Sequence, residues 1–279
     1  MNEYGTLYLC ATPIGNLGDI TSRCLETLAS VDLIAAEDTR QTLKLLNHFE
    51  INTKMTSYYE HNKAEKGSKL IEMLKEGKNI AVVSDAGTPA ISDPGEDLVK
   101  KCIENGIKVS PVPGAVAGIS ALICSGLCTG RFCFEGFLSV NRRQRKVHLE
   151  QVQKETRTMI FYEAPHKLRN TLDDFLNTFG NRRICIAREL TKKFEEIELM
   201  DLEGAVKKYE NQIPKGEFVL VIEGASEESC KEDYLNMTIE EHFEMYKNKF
   251  NLNDSDAMKA VAKDRKMRKN EVYAVVKKK

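Results

Sequence analysis

A chain of 279 residues has material for two domains of ordinary size, each with a core of its own. Its 41 Lys and Arg against 42 Asp and Glu leave a formal charge of −1, which excludes a surface basic all over, so any nucleic-acid contact has to be local. No basic-then-apolar leader and no apolar run of bilayer length is present, and eight cysteines without a CxxC pair suit reduced thiols of a cytoplasmic protein rather than a metal or disulfide framework.

Strands and helices alternate from the start. Thr6 to Ala11 predicts a strand opening into the loop Thr12 to Asp19, followed by a helix from about Thr21 to Ala29 with Leu25 and Leu28 on one face. Val31 to Ala36 predicts a second strand, ending in Glu37-Asp38-Thr39-Arg40. Helices through Leu46 and around Leu70 to Leu74 precede a third strand, Asn79 to Val83. A helix at Leu98 to Ile103 and a strand at Ile107 to Pro111 complete the pattern of a parallel sheet with helices packed on it.

Beyond the stiff connector Pro111-Val112-Pro113-Gly114 the order changes. A small-residue helix, Gly114 to Leu127, leads to strands at Phe132 to Phe137, Thr158 to Tyr162, Arg183 to Arg188, Glu195 to Met200 and Glu217 to Ile222, which suits a mixed sheet. Cys124, Cys128 and Cys133 are expected to be core filler. The last segment opens acidic (Glu227, Glu228, Glu232, Asp233) and ends basic. The expected organisation is therefore an α/β fold in three parts: residues 1–113, 114–225 and a helical 226–279.

Ser84-Asp85-Ala86-Gly87-Thr88-Pro89-Ala90-Ile91-Ser92-Asp93-Pro94-Gly95 follows the buried-strand run Ile80 to Val83. A loop of Gly, Pro, Ser and Asp at the C-terminal end of a parallel strand is where α/β sheets bind ligands. Thr12 to Asp19 and Val112 to Gly118 have the same character, and three such loops point to one crevice. Small residues let the backbone approach a ligand, and Asp85 and Asp93 can accept hydrogen bonds from it. No Gly-x-Gly-x-x-Gly or Gly-Lys-Ser/Thr pattern is present.

These loops, with Ile34 to Arg40, Phe161-Tyr162-Glu163-Ala164-Pro165-His166, Ala187-Arg188-Glu189-Leu190-Thr191-Lys192 and Pro214-Lys215-Gly216-Glu217, resemble the tetrapyrrole methylase superfamily over nearly the whole chain. Within it they are most similar to ribosomal RNA methyltransferases. The resemblance implies a parallel-sheet N-terminal domain and a mixed-sheet second domain with S-adenosylmethionine in the cleft between them, and a homodimer. It implies cofactor contacts at Pro13, Ser84, Asp85, Gly87, Thr88, Val116, Ala117, Tyr162, Ala187 and Pro214. The activity it implies is 2′-O-methylation of a cytidine in the decoding region of small-subunit ribosomal RNA, free or in the assembled 30S subunit. A porphyrinogen or precorrin C-methyltransferase and a non-catalytic RNA-binding assembly factor are the alternatives; the basic loop and tail count against the first, the intact loops against the second.

A ribose hydroxyl is a weak nucleophile and benefits from a base. Glu37, Asp38 and Glu163 are the candidates, Asp38 and Thr39 being equally suited to cap the following helix, and the residues alone do not choose among them. Phosphate contacts are expected from Arg40, Arg188 and Lys192, and from the dense cluster Arg142, Arg143, Arg145 and Lys146. In the tail, Ser255 to Lys263 and Arg268 to Val275 predict two short helices of a helix-turn-helix, with Arg268 and Lys269 at the RNA. Its turn, Asp264 to Met267, lacks the glycine common there and needs another solution. No metal is expected.

Overall fold

The structure, a computed structural model, describes residues 4–93, 95–226, 237–250 and 252–277. Pro94, Glu227, Glu228, Glu232, Asp233, Lys278 and Lys279 lie outside the described residues.

Strands β1 (Thr6–Cys10), β2 (Leu33–Ala36), β3 (Met55–Ser57), β4 (Ile80–Val83) and β5 (Lys108–Val112) form a wholly parallel sheet in the order β3-β2-β4-β1-β5. Parallel strands are covered on both faces, so β4 is apolar throughout and all four of its residues are buried. Ile80 and Val82 face a core with Leu70 and Leu74 of α3 (Lys63–Lys75) and Leu98 of α4 (Gly95–Glu104). Ala81 and Val83 face the opposite core, with Cys24 and Leu28 of α1 (Ser22–Ser30) and Leu46 of α2 (Thr39–His48). Strand β3 escapes sequence reading because it has only three residues, all half-buried at the sheet edge.

The second sheet runs β6-β7-β10-β8-β9, from β6 (Phe132–Phe137), β7 (Thr158–Glu163), β8 (Arg183–Arg188), β9 (Glu196–Asp201) and β10 (Phe218–Ile222). Only the β6–β7 pair is parallel, so the expected mixed sheet is present. Met159 and Phe161 of β7 face a core with α6 (Arg142–Val152), α7 (Leu168–Phe179) and α8 (Leu202–Asn211). On the other face Ile160 packs with Ala121 and Leu122 of α5 (Ala117–Cys124) and with Ile14 from the loop after β1. One apolar side chain of the first unit thus helps close the core of the second, and the crevice lies where they meet.

Helix α5 is shorter than its apolar sequence predicts. Val116 is extended, with φ −132° and ψ 107°, and the helix is finished before Gly126 turns at φ 71°. It buries Gly118, Ala121 and Leu122, while Ile123 and Cys124 project outward. The core-filler reading of Cys124 and Cys128 is therefore corrected: both are exposed, and Cys133 is half-buried. Apolar neighbours signalled burial, but a helix with one side against a sheet leaves its other side outside.

The C-terminal unit consists of α9 (Ile239–Phe250), α10 (Asp254–Asp264) and α11 (Lys269–Val276) around Phe243, Met258, Val261 and Val272. The turn between α10 and α11 solves its missing glycine with Lys266 itself, held at φ 52°. Arg265 turns inward, donating from Nε to His242 Nδ1 at 3.1 Å and from Nη2 to the Thr238 carbonyl at 3.1 Å. No helix among the described residues is long and apolar enough to cross a membrane.

Candidate active site

The loops following β1, β4 and β5 are laced together by their own polar atoms. Thr12 and Gly87 exchange backbone hydrogen bonds at 2.9 and 3.0 Å, a two-residue antiparallel bridge. The Thr88 hydroxyl donates to the Ala115 carbonyl at 3.0 Å, tying the second loop to the third. The third is tied to the other sheet, because the Gly118 amide in the first turn of α5 donates to the Tyr162 hydroxyl at 3.0 Å. Val116 supplies no side-chain cap, so Tyr162 satisfies one of the free amides that a helix N-terminus leaves. Burial pushes the Tyr162 phenol above its usual range, and the edges of Phe134 and Phe137 approach its ring at 5.0 and 5.5 Å.

Around this lacing lies a cavity of about 500 Å³. Its apolar walls include Ile14, Ile91, Val116, Ala117, Phe137, Ala187, Leu190 and Val219. Among the described residues its ionisable lining is Tyr162 with Glu37, Asp85, Asp93, Glu163 and Glu217, the last bonded to Lys192 at 2.8 Å. Of the residues expected at a cofactor, Ser84, Asp85, Gly87, Thr88, Val116, Ala117, Tyr162 and Ala187 stand in this wall, whereas Pro13 and Pro214 do not. Ile14, next to Pro13, and Glu217, three beyond Pro214, take those places.

The carboxyls differ in what they are free to do. Asp93 Oδ1 accepts from the amides of Ala90 at 2.9 Å and Gly95 at 2.7 Å, which holds Ala90 and Ser92 at φ 68° and 66°. Two non-glycine residues in that region mark a loop whose shape the surrounding bonds impose. Asp85 Oδ1 accepts from the Asp38 amide at 2.9 Å. Glu163 is buried and accepts on both oxygens, from the Ala164 amide at 2.8 Å and the Thr171 hydroxyl at 2.5 Å. Glu37 is half-buried on the wall, and burial first, then the charge of Asp85, raises its carboxyl above the usual range.

Asp38 is different. It caps α2 by accepting from the Arg40 amide at 2.8 Å, and it grips the Arg40 guanidinium at 3.1 and 2.7 Å. The Arg40 bonds hold its carboxyl down at about 2, and it does not line the cavity. A carboxylate so stabilised is a poor proton acceptor, and the base reading of Asp38 gives way to the cap.

Three cations expected at phosphate are occupied inside the fold. Arg188 donates to Glu196 at 3.0 Å, and Lys192 bridges Glu189 at 2.9 Å and Glu217 at 2.8 Å. Arg145 donates from Nε to Asp174 at 2.5 Å. The short spacing of basic residues was visible in sequence; partners 25 and 29 residues away were not. Arg142, Arg143 and Lys146 do stand exposed on α6, whose first turn Asn141 caps at 3.0 and 3.2 Å. Arg142, Arg145, Lys146 and Lys167 line a groove of about 630 Å³ between α6 and α7, together with Glu150, Asp173 and Asp174. Phe137 is on the cavity and Ser139 on the groove, so a single short segment joins the two. Arg40 is exposed despite its ion pair, and Arg268 is exposed at the start of α11, where Lys269 donates to Ser255 at 2.8 Å.

The family model for Tetrapyrrole (Corrin/Porphyrin) Methylases matches residues 6–205, from β1 through the start of α8. The chain belongs to the tetrapyrrole methylase family. Proteins named Ribosomal RNA small subunit methyltransferase I are similar to this methylase over almost its full length. The one from Halalkalibacterium halodurans is 50% identical over 98% of the chain and 95% of its own length. The one from Bacillus subtilis is 48% identical over 98% and 94%. Among solved structures, diphthine synthase superposes with a TM-score of 0.60 at 14% identity, covering 79% of this chain and 90% of that one. Uroporphyrin-III-C-methyltransferase from Thermus thermophilus gives 0.56 at 17%, covering 78% and 94%, so these two speak for the fold.

The cofactor of these methylases is S-adenosylmethionine. The cavity suits it on this chain's own residues: a sulfonium and an ammonium call for carboxylates, and the nucleoside calls for apolar walls. Among the described residues no group of side chains is arranged to hold a metal.

Proposed function

We propose that this methylase transfers the methyl group of S-adenosylmethionine to the 2′-hydroxyl of a cytidine in the decoding region of small-subunit ribosomal RNA. The observation that carries the reading is the pairing of a cavity lined by carboxylates with the exposed Arg142, Arg143 and Lys146 one short segment away, beside a groove of mixed charge. The carboxylates suit a cationic cofactor and the exposed cations of α6 suit a polyanion. The near full-length similarity to ribosomal RNA methyltransferases supports that acceptor.

When bound, the cofactor supplies a methyl group already activated on a sulfonium. The chain then has to align the acceptor and remove its proton. Arg142, Arg143 and Lys146, with Lys167 across the groove, hold the RNA backbone. Glu37 takes the hydroxyl proton, since it combines a place on the cavity wall with a raised carboxyl. Methyl transfer from labelled S-adenosylmethionine to unmodified small subunits tests the reading. Labelled RNA is expected; cofactor binding with no labelled RNA contradicts it.

Neutralising Arg142, Arg143 and Lys146 together should weaken RNA binding and reduce the slope of log affinity against log salt by about 2 to 3, with cofactor affinity unchanged. An unchanged slope would remove the groove from the account. The exposed Ile119 and Ile123 on α5 and Phe132 and Phe134 on edge strand β6 support a homodimer. Light scattering should return twice the chain mass, and a monomer at working concentration contradicts it.

A further inference from the structure

Arg145 belongs to the basic cluster by sequence, and by structure it lines the groove while bonding to Thr171 behind the cavity wall. Its side chain is only 12% exposed, clamped through Nε to Asp174. Its Nη2 donates to the Thr171 hydroxyl at 2.9 Å. Thr171 is fully buried, and its one proton has two acceptors in reach: Glu163 Oε2 at 2.5 Å and the Lys167 carbonyl at 3.1 Å. The shorter bond takes it. Glu163 in turn fixes the Ala164 amide at 2.8 Å, and Glu163, Ala164 and Pro165 all stand in the cavity wall.

We propose that Arg145 and Thr171 are positioning residues for the cofactor cavity, orienting Glu163 and through it the Ala164-Pro165 wall, so that the RNA-facing helix α6 is wired to the cofactor site by hydrogen bonds. The inference rests on the reading of that cavity as the S-adenosylmethionine site. It gives Glu163 a role other than base, because both of its oxygens are committed to the wall. The planar guanidinium fork holds the Asp174 carboxylate and the Thr171 hydroxyl in a fixed relative geometry, which a single-point ammonium does not impose.

The test is cofactor affinity by calorimetry together with the salt dependence of RNA binding. Thr171→Val keeps the shape and removes the proton, which leaves a buried carboxyl oxygen short of a donor. About a tenfold rise in cofactor Kd is expected. Thr171→Ser restores the hydroxyl and should bind within about twofold of the unaltered chain. Arg145→Gln should raise cofactor Kd about fivefold with no change in RNA salt slope. Should Thr171→Val not fold, Arg145→Gln decides alone. Wild-type cofactor affinity in Arg145→Gln with a salt slope reduced by about one would make Arg145 a phosphate ligand and overturn the proposal. Wild-type affinity in Thr171→Val, or equal losses in the Val and Ser variants, would overturn it too. An unaltered chain that binds no cofactor would bring down the parent reading and this one with it; binding by the unaltered chain separates the two.

Discussion

Replacing Glu37 by glutamine is expected to lower kcat by about two to four orders of magnitude while cofactor Kd rises no more than several-fold. The size follows from what is removed, a general base acting on a weakly acidic hydroxyl. The pH profile carries the signature. Glu37 acts as a base only when ionised, and burial with the Asp85 charge raises its carboxyl above the usual range in the folded chain. The rate of the unaltered chain should therefore rise with pH through that raised value and then level off, and the glutamine variant should lose this limb. Stability moves the other way. A carboxyl raised by folding contributes stability below its unfolded value and loses it as pH rises through the folded one. Above the raised value the ionised Glu37 costs stability, so Glu37→Gln should leave Tm equal or higher there. A variant with normal kcat, or one whose lost activity tracks a lowered Tm, removes Glu37 from the role of base.

Replacing Gly87 by valine is expected to lower cofactor affinity by about 100-fold and stability by about 3 kcal/mol. Gly87 sits at φ 81°, a region that a β-branched residue almost never adopts. A Cβ there would stand 3.1 Å from Ile14 and 3.3 Å from the Ala115 carbonyl. Its backbone is also the anchor of the Thr12 bridge, so strain at this position reaches two cavity loops together. Ile14 belongs as well to the core shared with the second sheet. Calorimetry and thermal unfolding of the variant check both numbers. Unaltered cofactor affinity in a folded variant would mean that the cavity is not the cofactor site.

The central strands and their loops were legible because burial on both faces writes an uninterrupted apolar run, as in Ile80 to Val83, and because a ligand loop needs Gly, Pro and Asp where backbone approaches backbone; edge strand β3 was not. What was not legible depends on contacts between distant residues. Nothing near Arg145 in sequence announces Asp174, and nothing near Asp38 tells a cap from a base until Arg40 is seen wrapped around it. Thr171 lies eight residues beyond Glu163 on the next helix, with no motif to mark it. Pro13 and Pro214 do not line the cavity, whereas Ile14 and Glu217 of the same segments do.

The most direct test of the central claim is the chemical position of the transferred methyl group. Small subunits lacking the modification are incubated with the protein and labelled S-adenosylmethionine, and their RNA is digested with alkali. A methyl group on the 2′-oxygen blocks cleavage of the adjoining phosphodiester, so the account predicts label in an alkali-resistant dinucleotide with cytidine at its 5′ side. Label released in mononucleotides would place the methyl on a base and contradict it.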